Sequence, residues 1–182
     1  MRCLCVEYLS RRPKKLIGGD GKIVEVDESL FTKRKSNAGR ILPHQWIFGG
    51  TCRESKECFV VQIPDRTAKT LLECIKDNIL PGTTIYTDCW RSYQENELEM
   101  AGYKHFTVNH KYHFVNPNDG THTQTIERLW RSTKWRNKRH RGTKRDYLDS
   151  YLAEFMTRQL MKDEDPFESI MQMISCIYPP VK

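Results

Sequence analysis

Several features that the sequence lacks exclude whole classes of protein. No apolar run approaches the ~20 residues that a membrane-spanning helix needs. The first fifteen residues, MRCLCVEYLSRRPKK, contain neither a long apolar segment nor the small-residue cleavage site of a signal peptide. The seven cysteines are odd in number and scattered without a CxxC pair, so neither a disulfide framework nor a zinc site is indicated. We therefore expect reduced thiols in a protein that is not secreted, nuclear in a eukaryote and cytoplasmic otherwise.

Acidic residues are also missing from one long, strongly basic stretch. The 182-residue chain has 30 Lys and Arg against 23 Asp and Glu, a formal net charge of +7, but no acid lies between Glu127 and Asp146. That interval holds nine cations: Arg128, Arg131, Lys134, Arg136, Lys138, Arg139, Arg141, Lys144 and Arg145. A solvated helix face is one explanation. Clustered cations without interleaved acids favour the other, which is binding of a polyanion such as DNA.

The chain is long enough for one domain with a substantial core, and its pattern is that of an α/β protein. Runs rich in β-branched residues predict strands over 22–28, 44–53, 57–64, 83–88 and 104–109. Helical spacing predicts helices over 67–80, 91–101, 144–161 and 165–177, and one more that starts near Thr121 or Thr123. The last helix has an apolar stripe that we expect to face the core: Phe167, Ile170, Ile174 and Ile177. This order predicts a mixed sheet flanked by helices, as in a ribonuclease-H-like fold.

Three carboxylates stand at places where such a sheet forms sites. Asp27 lies near the end of the first predicted strand, Asp88 ends the fourth, and Glu127 lies in the first turns of the later helix. Loops and helix starts converge at strand ends, and carboxylates gathered there repel one another unless cations lie between them. Oxygen ligands of this kind suit Mg²⁺ or Mn²⁺.

Each of these acids also has a structural explanation. Asp27 could be an ordinary strand-end acid, and its neighbour Glu28 could equally be the relevant residue. Asp88 could cap the helix that follows it, and Glu127 could interact with its own helix dipole.

The spacing within the basic helix suggests how both kinds of charge serve one substrate. Glu127, Arg131 and Lys134 are separated by four and three residues, so they share one face. Trp130 lies on the adjacent face, where we expect it to pack in the core. Glu127 would then point toward a metal site while Lys134 contacts a phosphate backbone.

The sequence resembles a known family of transposases over about residues 16–160. The segments that carry the resemblance are VEVDESLFTKRK, QWIFGGTCR, TIYTDCWRSY, VNHKYHFVNPNDGTHTQTIERLWRSTK and YLAEFMTRQL. They are similar to the DDE transposases of the Merlin superfamily and to related bacterial insertion-sequence transposases with an ISXO2-like catalytic domain.

The resemblance implies a ribonuclease-H-like catalytic domain in which Asp27, Asp88 and Glu127 are the catalytic residues and bind two Mg²⁺ or Mn²⁺ ions. Lys134 matches the lysine that follows the third acid by seven residues. The reaction would be cleavage of DNA by water at transposon ends, then attack of a DNA 3′-hydroxyl on target DNA, without a covalent protein–DNA intermediate. His110 and His122 fall in motifs typical of the family and are candidate substrate contacts, although His122 could equally be a packed or capping residue.

The implied partners are the double-stranded DNA of the transposon ends and target, and further copies of the chain in a homodimer or larger assembly. No small-molecule cofactor and no membrane are expected. The DNA contacts are assigned to one group: Arg131, Lys134, Arg136, Lys138, Arg139, Arg141, Lys144 and Arg145.

Relatives usually have an N-terminal DNA-recognition region. We expect residues 1–20 to be a basic lead-in that could be a remnant of it, and residues 21–182 to be the catalytic domain with C-terminal helices. Two other functions stay open from the sequence. One is a domesticated DNA-binding protein that keeps the fold without transposition, and the other is a ribonuclease-H-like nuclease that acts on RNA or RNA–DNA hybrids.

Overall fold

A computed structural model describes residues 1–31, 44–88, 95–108, 122–139 and 143–179. The chain divides into two compact units. One unit is Leu16–Gly142, and the other combines Met1–Lys15 with Thr143–Lys182.

A five-stranded mixed sheet forms the centre of the Leu16–Gly142 unit. Its strands are β2 Ile23–Leu30, β3 Trp46–Cys52, β4 Cys58–Ile63, β6 Thr84–Asp88 and β7 Lys104–Val108. In spatial order they are β4, β3, β2, β6 and β7. The first three are antiparallel neighbours, whereas β6 runs parallel to β2 and β7 runs parallel to β6. Two short parallel strands, β1 Ile17–Gly18 and β5 Ile79–Leu80, form a separate pair.

Alternation along β2 gives the two faces of the sheet different partners. Val24 and Val26 are fully buried in a hydrophobic cluster that also includes Leu71 and Ile75 of helix α2, Ala68–Asn78. Successive strand residues point to opposite faces, so the residues between these valines face the other side of the sheet. Helix α4, Gln124–Thr133, packs there against β2 and β3.

Two further helices belong to this unit. They are α3, Glu95–Met100, and α5, Trp135–Arg139. Helix α2 begins at Thr67, whose hydroxyl oxygen accepts a hydrogen bond from the backbone N–H of Thr70, as an N-cap residue does.

The second unit is helical. It contains α1 Arg2–Arg11, a short 3₁₀ helix Arg145–Tyr147, α6 Leu148–Leu160 and α7 Pro166–Ile177. Its core consists of Cys5, Tyr8, Met161, Met173 and Ile177. Within the residues that the structure describes, no helix is both long and apolar enough to cross a membrane.

Most predicted elements are confirmed, with ends that shift by one to a few residues; positions 91–94 and 109 lie outside the described residues. Helix α1 forms within the basic residues 1–20, where the sequence shows no clear apolar stripe and no helix was predicted. The expected inward stripe of α7 was wrong in part. In α7, Met173 and Ile177 are buried, whereas Phe167 is 70% exposed and Ile174 is 38% exposed. The division into residues 1–20 and 21–182 stays a prediction.

Candidate metal and nucleic-acid site

Asp27 and Asp88 come from neighbouring parallel strands. Glu25 on β2 lies beside Tyr86 on β6 at the last paired position. Continuing this register by two residues on each strand sets Asp27 beside Asp88, which is the last residue of β6. Two carboxylates therefore lie side by side on adjacent parallel strands, Asp88 at the end of β6 and Asp27 three residues before the end of β2.

The electrostatics of Asp27 reflect this proximity. Burial, the negative charge of Asp88 and that of Glu28 raise the pKa of Asp27 from 3.8 to about 7, against the opposing effect of the hydrogen bond from Trp130. Burial is the largest cause, because a carboxylate removed from water loses its hydration. A cation between the two aspartates would offset both the burial and the repulsion.

Two hydrogen bonds fix the orientation of the Asp27 carboxylate. The indole Nε1–H of Trp130 donates to Oδ2 at 2.7 Å, and the backbone N–H of Glu28 donates to Oδ1 at 2.8 Å. Each carboxylate oxygen has two acceptor directions, so these bonds orient the group without using up its capacity to bind a cation. The aspartates thus fit a divalent metal in their chemistry and placement.

Gly49 makes room for the ring of Trp130. It pairs with Asp27 across β2 and β3, and a Cβ atom added to it would come within 2.6 Å of the Trp130 ring. The ring therefore lies against the backbone of β3 beside the carboxylate that its N–H binds. Trp130 was expected only to pack in the core, and its buried state is confirmed.

Alternate residues of β2 contact successive turns of α4. Glu25 accepts from backbone amides at the start of the helix, Asp27 accepts from Trp130, and the Nζ of Lys134 donates to the hydroxyl of Ser29. From residue 25 to 29 the strand rises ~13 Å and from residue 126 to 134 the helix rises ~12 Å, so the two run in step.

This alternation distinguishes Asp27 from its neighbour. Glu28 belongs to the opposite set of β2 residues, so Asp27 and not Glu28 faces α4. Lys134 reaches the end of β2, where its Nζ also donates to the carbonyl of Leu30 at 2.7 Å. Its predicted contact with phosphate stays a prediction.

Glu25 is the fully buried centre of a polar network that the sequence analysis did not identify. Its Oε1 accepts from Nε of Arg53 at 2.6 Å, and its Oε2 accepts from the amides of Thr125 and Ile126 at 2.8 and 2.9 Å. Arg53 also donates to the carbonyl of His122 at 2.6 Å. The sequence offered one indication of this network, which is an acidic residue, Glu25, between the two valines of a predicted strand.

Of the two histidines predicted as candidate substrate contacts, the structure describes His122. His122 packs in the Glu25 network, with its Nδ1 3.5 Å from Oε1 of Glu25. Burial lowers the pKa of His122, and the positive charge of Arg53 lowers it further. His110 lies outside the described residues.

Glu127 lies in the first turn of α4 with an exposed side chain. In the described ranges, no three His, Cys, Asp or Glu side chains come together in a group that could hold a metal. The structure therefore brings Asp27 and Asp88 together but does not gather Glu127 with them in a three-ligand group.

The predicted DNA-binding residues are spread over both units. Arg131, Lys138 and Arg139 are exposed in the Leu16–Gly142 unit, and the Arg139 guanidinium lies 5.2 Å from the ring centroid of Trp135. Lys144 is exposed in the other unit, with its Nζ 3.5 Å from Oδ2 of Asp146. Arg141 and the side chains of two further arginines lie outside the described part of the chain: Arg136 and Arg145.

Comparison with known proteins identifies the family to which these residues belong. The family model for the ISXO2-like transposase domain matches residues 15–159, which include every proposed site residue. The chain belongs to this transposase family. An uncharacterized transposase-like protein of Haemophilus influenzae is 28% identical over 96 residues, covering 53% of this chain and 75% of that protein.

A solved structure shows the same fold. The catalytic core domain of BIV integrase superposes on this ISXO2-like transposase domain with a TM-score of 0.53 and 17% identity. The match covers 86% of this chain and 97% of the integrase domain. The predicted ribonuclease-H-like fold, a mixed sheet flanked by helices, is thereby confirmed.

Proposed function

We propose that this chain is the catalytic domain of a DNA transposase. It would hydrolyse phosphodiester bonds at transposon ends and join the freed 3′-hydroxyls to target DNA. The observation that carries the proposal is the pairing of Asp27 and Asp88 at adjacent strand ends, where burial and mutual repulsion raise the pKa of Asp27 to about 7. Such a pair is costly in a binding scaffold and useful in a site that receives cations.

Asp27, Asp88 and Glu127 would hold two Mg²⁺ or Mn²⁺ ions. When bound, such ions activate a water or a DNA hydroxyl and stabilise the leaving oxygen of the phosphodiester. Trp130 and the backbone amide of Glu28 orient Asp27 for this purpose. Glu127 is exposed on α4, and Trp130 of the same helix already contacts Asp27. Rotation of the Glu127 side chain would therefore bring its carboxylate toward Asp27 and Asp88.

The exposed cations supply the contacts to DNA. Arg131, Lys138 and Arg139 would neutralise backbone phosphates of the DNA, and Lys144 of the helical unit is a further proposed phosphate contact. Lys134 would act by fixing the end of β2 as well as through its charge. Transposition joins two transposon ends to one target, so we propose a homodimer or larger assembly. It would act in the nucleus of a eukaryote or in the cytoplasm of a bacterium.

The choice of substrate tests this function against another nuclease. The purified chain should cleave duplex DNA in Mg²⁺ more readily than an RNA–DNA hybrid or RNA of the same sequence at equal salt. Asp88→Asn should abolish cleavage, whereas Asp146→Asn, an exposed acid in the other unit, should not. Preference for the hybrid would contradict the transposase proposal.

A DNA-binding protein without cleavage is the second candidate. One observation favours it: three carboxylates do not converge in the described residues. It predicts binding to duplex DNA that neither EDTA nor Asp88→Asn alters, together with no metal-dependent nicking.

A further inference from the structure

We infer that Glu25 is a positioning residue of the proposed catalytic centre. It anchors the start of α4 and so sets where Glu127 lies relative to Asp27 and Asp88. The inference rests on the function proposed above and adds a residue that binds neither metal nor DNA.

Helix α4 begins without the usual local cap. Thr123 is the N-cap residue, but its side chain makes no capping hydrogen bond. The backbone amides that a capping side chain normally satisfies, those of Thr125 and Ile126, donate instead to Oε2 of Glu25. The cap of α4 is therefore supplied by a strand about one hundred residues earlier in the chain.

The position of this carboxylate makes it a strong anchor. Glu25 has no solvent exposure, and its charge lies at the helix N-terminus, where the backbone dipole favours an anion. Such charge-assisted bonds are roughly twice as strong as neutral ones. The anchor also fixes rotation about the helix axis, because it binds two adjacent amides rather than one.

Arg53 holds Glu25 in place and ties in the segment before the helix. Its Nε donates to Oε1 of Glu25, and its terminal nitrogen donates to the carbonyl of His122. The guanidinium lies 4.6 Å from the ring centroid of Tyr86, two residues before Asp88 on β6. One partly buried ion pair thus contacts the strand of each aspartate and the helix of Glu127.

Glu127 is the residue directly after Ile126, whose amide is the second of the two that Glu25 binds. A shift of the helix start is therefore transmitted directly to Glu127, whereas Trp130 and Lys134 attach the same helix further along. Loss of the Glu25 anchor should loosen the first turn and leave the rest of α4 in contact with β2.

The first test is a double-mutant cycle in which calorimetry measures the affinity for Mn²⁺. Glu25→Gln should weaken binding by about tenfold or more, within the range found when supporting residues of a metal site are replaced. In a Glu127→Gln background the same change should have little further effect, because Glu25 acts through Glu127. Full additivity, or unchanged Mn²⁺ affinity, would overturn the inference.

A matched control separates positioning from general loss of a buried charge. Glu154 is also buried and pairs with an arginine, Arg158, within the helical unit. Glu154→Gln removes a comparable ion pair and should leave Mn²⁺ affinity unchanged. Equal weakening by both substitutions would assign the effect of Glu25 to stability alone.

The second test needs no metal. Hydrogen–deuterium exchange of the metal-free protein should speed up by about tenfold or more at residues 124–127 in Glu25→Gln, with smaller changes near Trp130. Unchanged exchange there would refute the anchor. Faster exchange in a protein whose wild type binds no Mn²⁺ would keep the anchor and reject the proposed metal centre.

A milder substitution serves if Glu25→Gln does not fold. Arg53→Lys keeps the positive charge but loses the fork that joins Glu25 to the carbonyl of His122. It should increase exchange at residues 122–126 and weaken Mn²⁺ binding by a few-fold to about tenfold. Normal exchange in this variant would contradict the inference.

Discussion

Trp130 connects the packing of α4 with the chemistry of Asp27. One side of its ring lies against Gly49, and its N–H binds the carboxylate that pairs with Gly49 across the strands. A residue that the sequence marks as core is thus also part of the site. Its hydrogen bond could not be foreseen, because it depends on the register of two strands and a helix.

Gly49→Ala tests the close approach of Trp130. The new Cβ would lie within 2.6 Å of the ring, so we expect a loss of about 1–3 kcal/mol in the free energy of unfolding, typical of overpacking. Denaturant unfolding measures this loss. In a Trp130→Phe background, which lacks the outer ring, the loss should fall by about half or more. An equal loss in both backgrounds would mean that the ring is not the obstacle.

The pKa of Asp27 predicts a pH dependence of stability. Its pKa is about 7 in the folded protein and 3.8 in the unfolded chain, so the folded state holds the extra proton between these values. The stabilisation is complete below pH 3.8 and is lost as the pH rises to about 7. The metal-free protein should therefore be less stable at pH 8 than at pH 5 by about 1–3 kcal/mol from this group alone.

Asp27→Asn should remove that dependence. Denaturant unfolding in EDTA should show a smaller difference between pH 5 and pH 8 in this variant than in the wild type. Asp146→Asn, an exposed acid, should behave like the wild type. An identical pH dependence in Asp27→Asn would contradict the raised pKa.

At the scale of elements, hydrophobic patterns predicted most strands and helices but not what anchors them. The spacing of residues in 124–133 predicted that Trp130 packs in the core, as observed, and Ile126 and Thr133 are buried beside it on the helix. It could not reveal that Glu25 caps that helix, since the capping group is remote in sequence. Helix α7 has apolar residues on more than one face, so its sequence does not determine which face is buried. Packing within the helical unit buries the face that carries Met173 and Ile177.

Helix α5 provides a test of the DNA-binding surface. Replacing Lys138 and Arg139 with Gln should weaken binding to duplex DNA and reduce the slope of log K against log salt by ~0.9 for each phosphate that the protein no longer neutralises. Both side chains are exposed, so the fold should not change. Filter binding or fluorescence anisotropy over a series of salt concentrations gives the slope.

A matched pair of cations on α2 is the control. Lys69 and Lys76 are also exposed, and replacing both with Gln removes the same charge from a different helix. Their replacement should leave most of the salt slope intact. Equal effects of the two double substitutions would mean that net charge, rather than α5, governs binding.

At the scale of the whole molecule, the order of strands and helices predicted a mixed sheet flanked by helices, and the family resemblance implied the ribonuclease-H-like fold. The antiparallel start and the two parallel strands that follow reproduce the predicted mixed sheet. The sequence also predicted that Asp27 and Asp88 would meet, because Asp27 lies near the carboxyl end of its strand and Asp88 ends another. It predicted that Glu127 would join them, whereas Glu127 has an exposed side chain on a separate helix and forms no three-ligand group with them in the described residues.

We propose above that Asp27, Asp88 and Glu127 form one metal-dependent centre that cuts DNA. The most direct measurement is nicking of supercoiled plasmid by the purified chain in Mn²⁺ or Mg²⁺, with EDTA and the Glu127→Ala variant in parallel. Glu168→Ala is a matched control, since Glu168 is also an exposed first-turn acid, on α7. We predict nicking by the wild type and Glu168→Ala that requires metal and is abolished in Glu127→Ala. Nicking that persists in Glu127→Ala, or no nicking with salt-sensitive binding retained, would contradict this account.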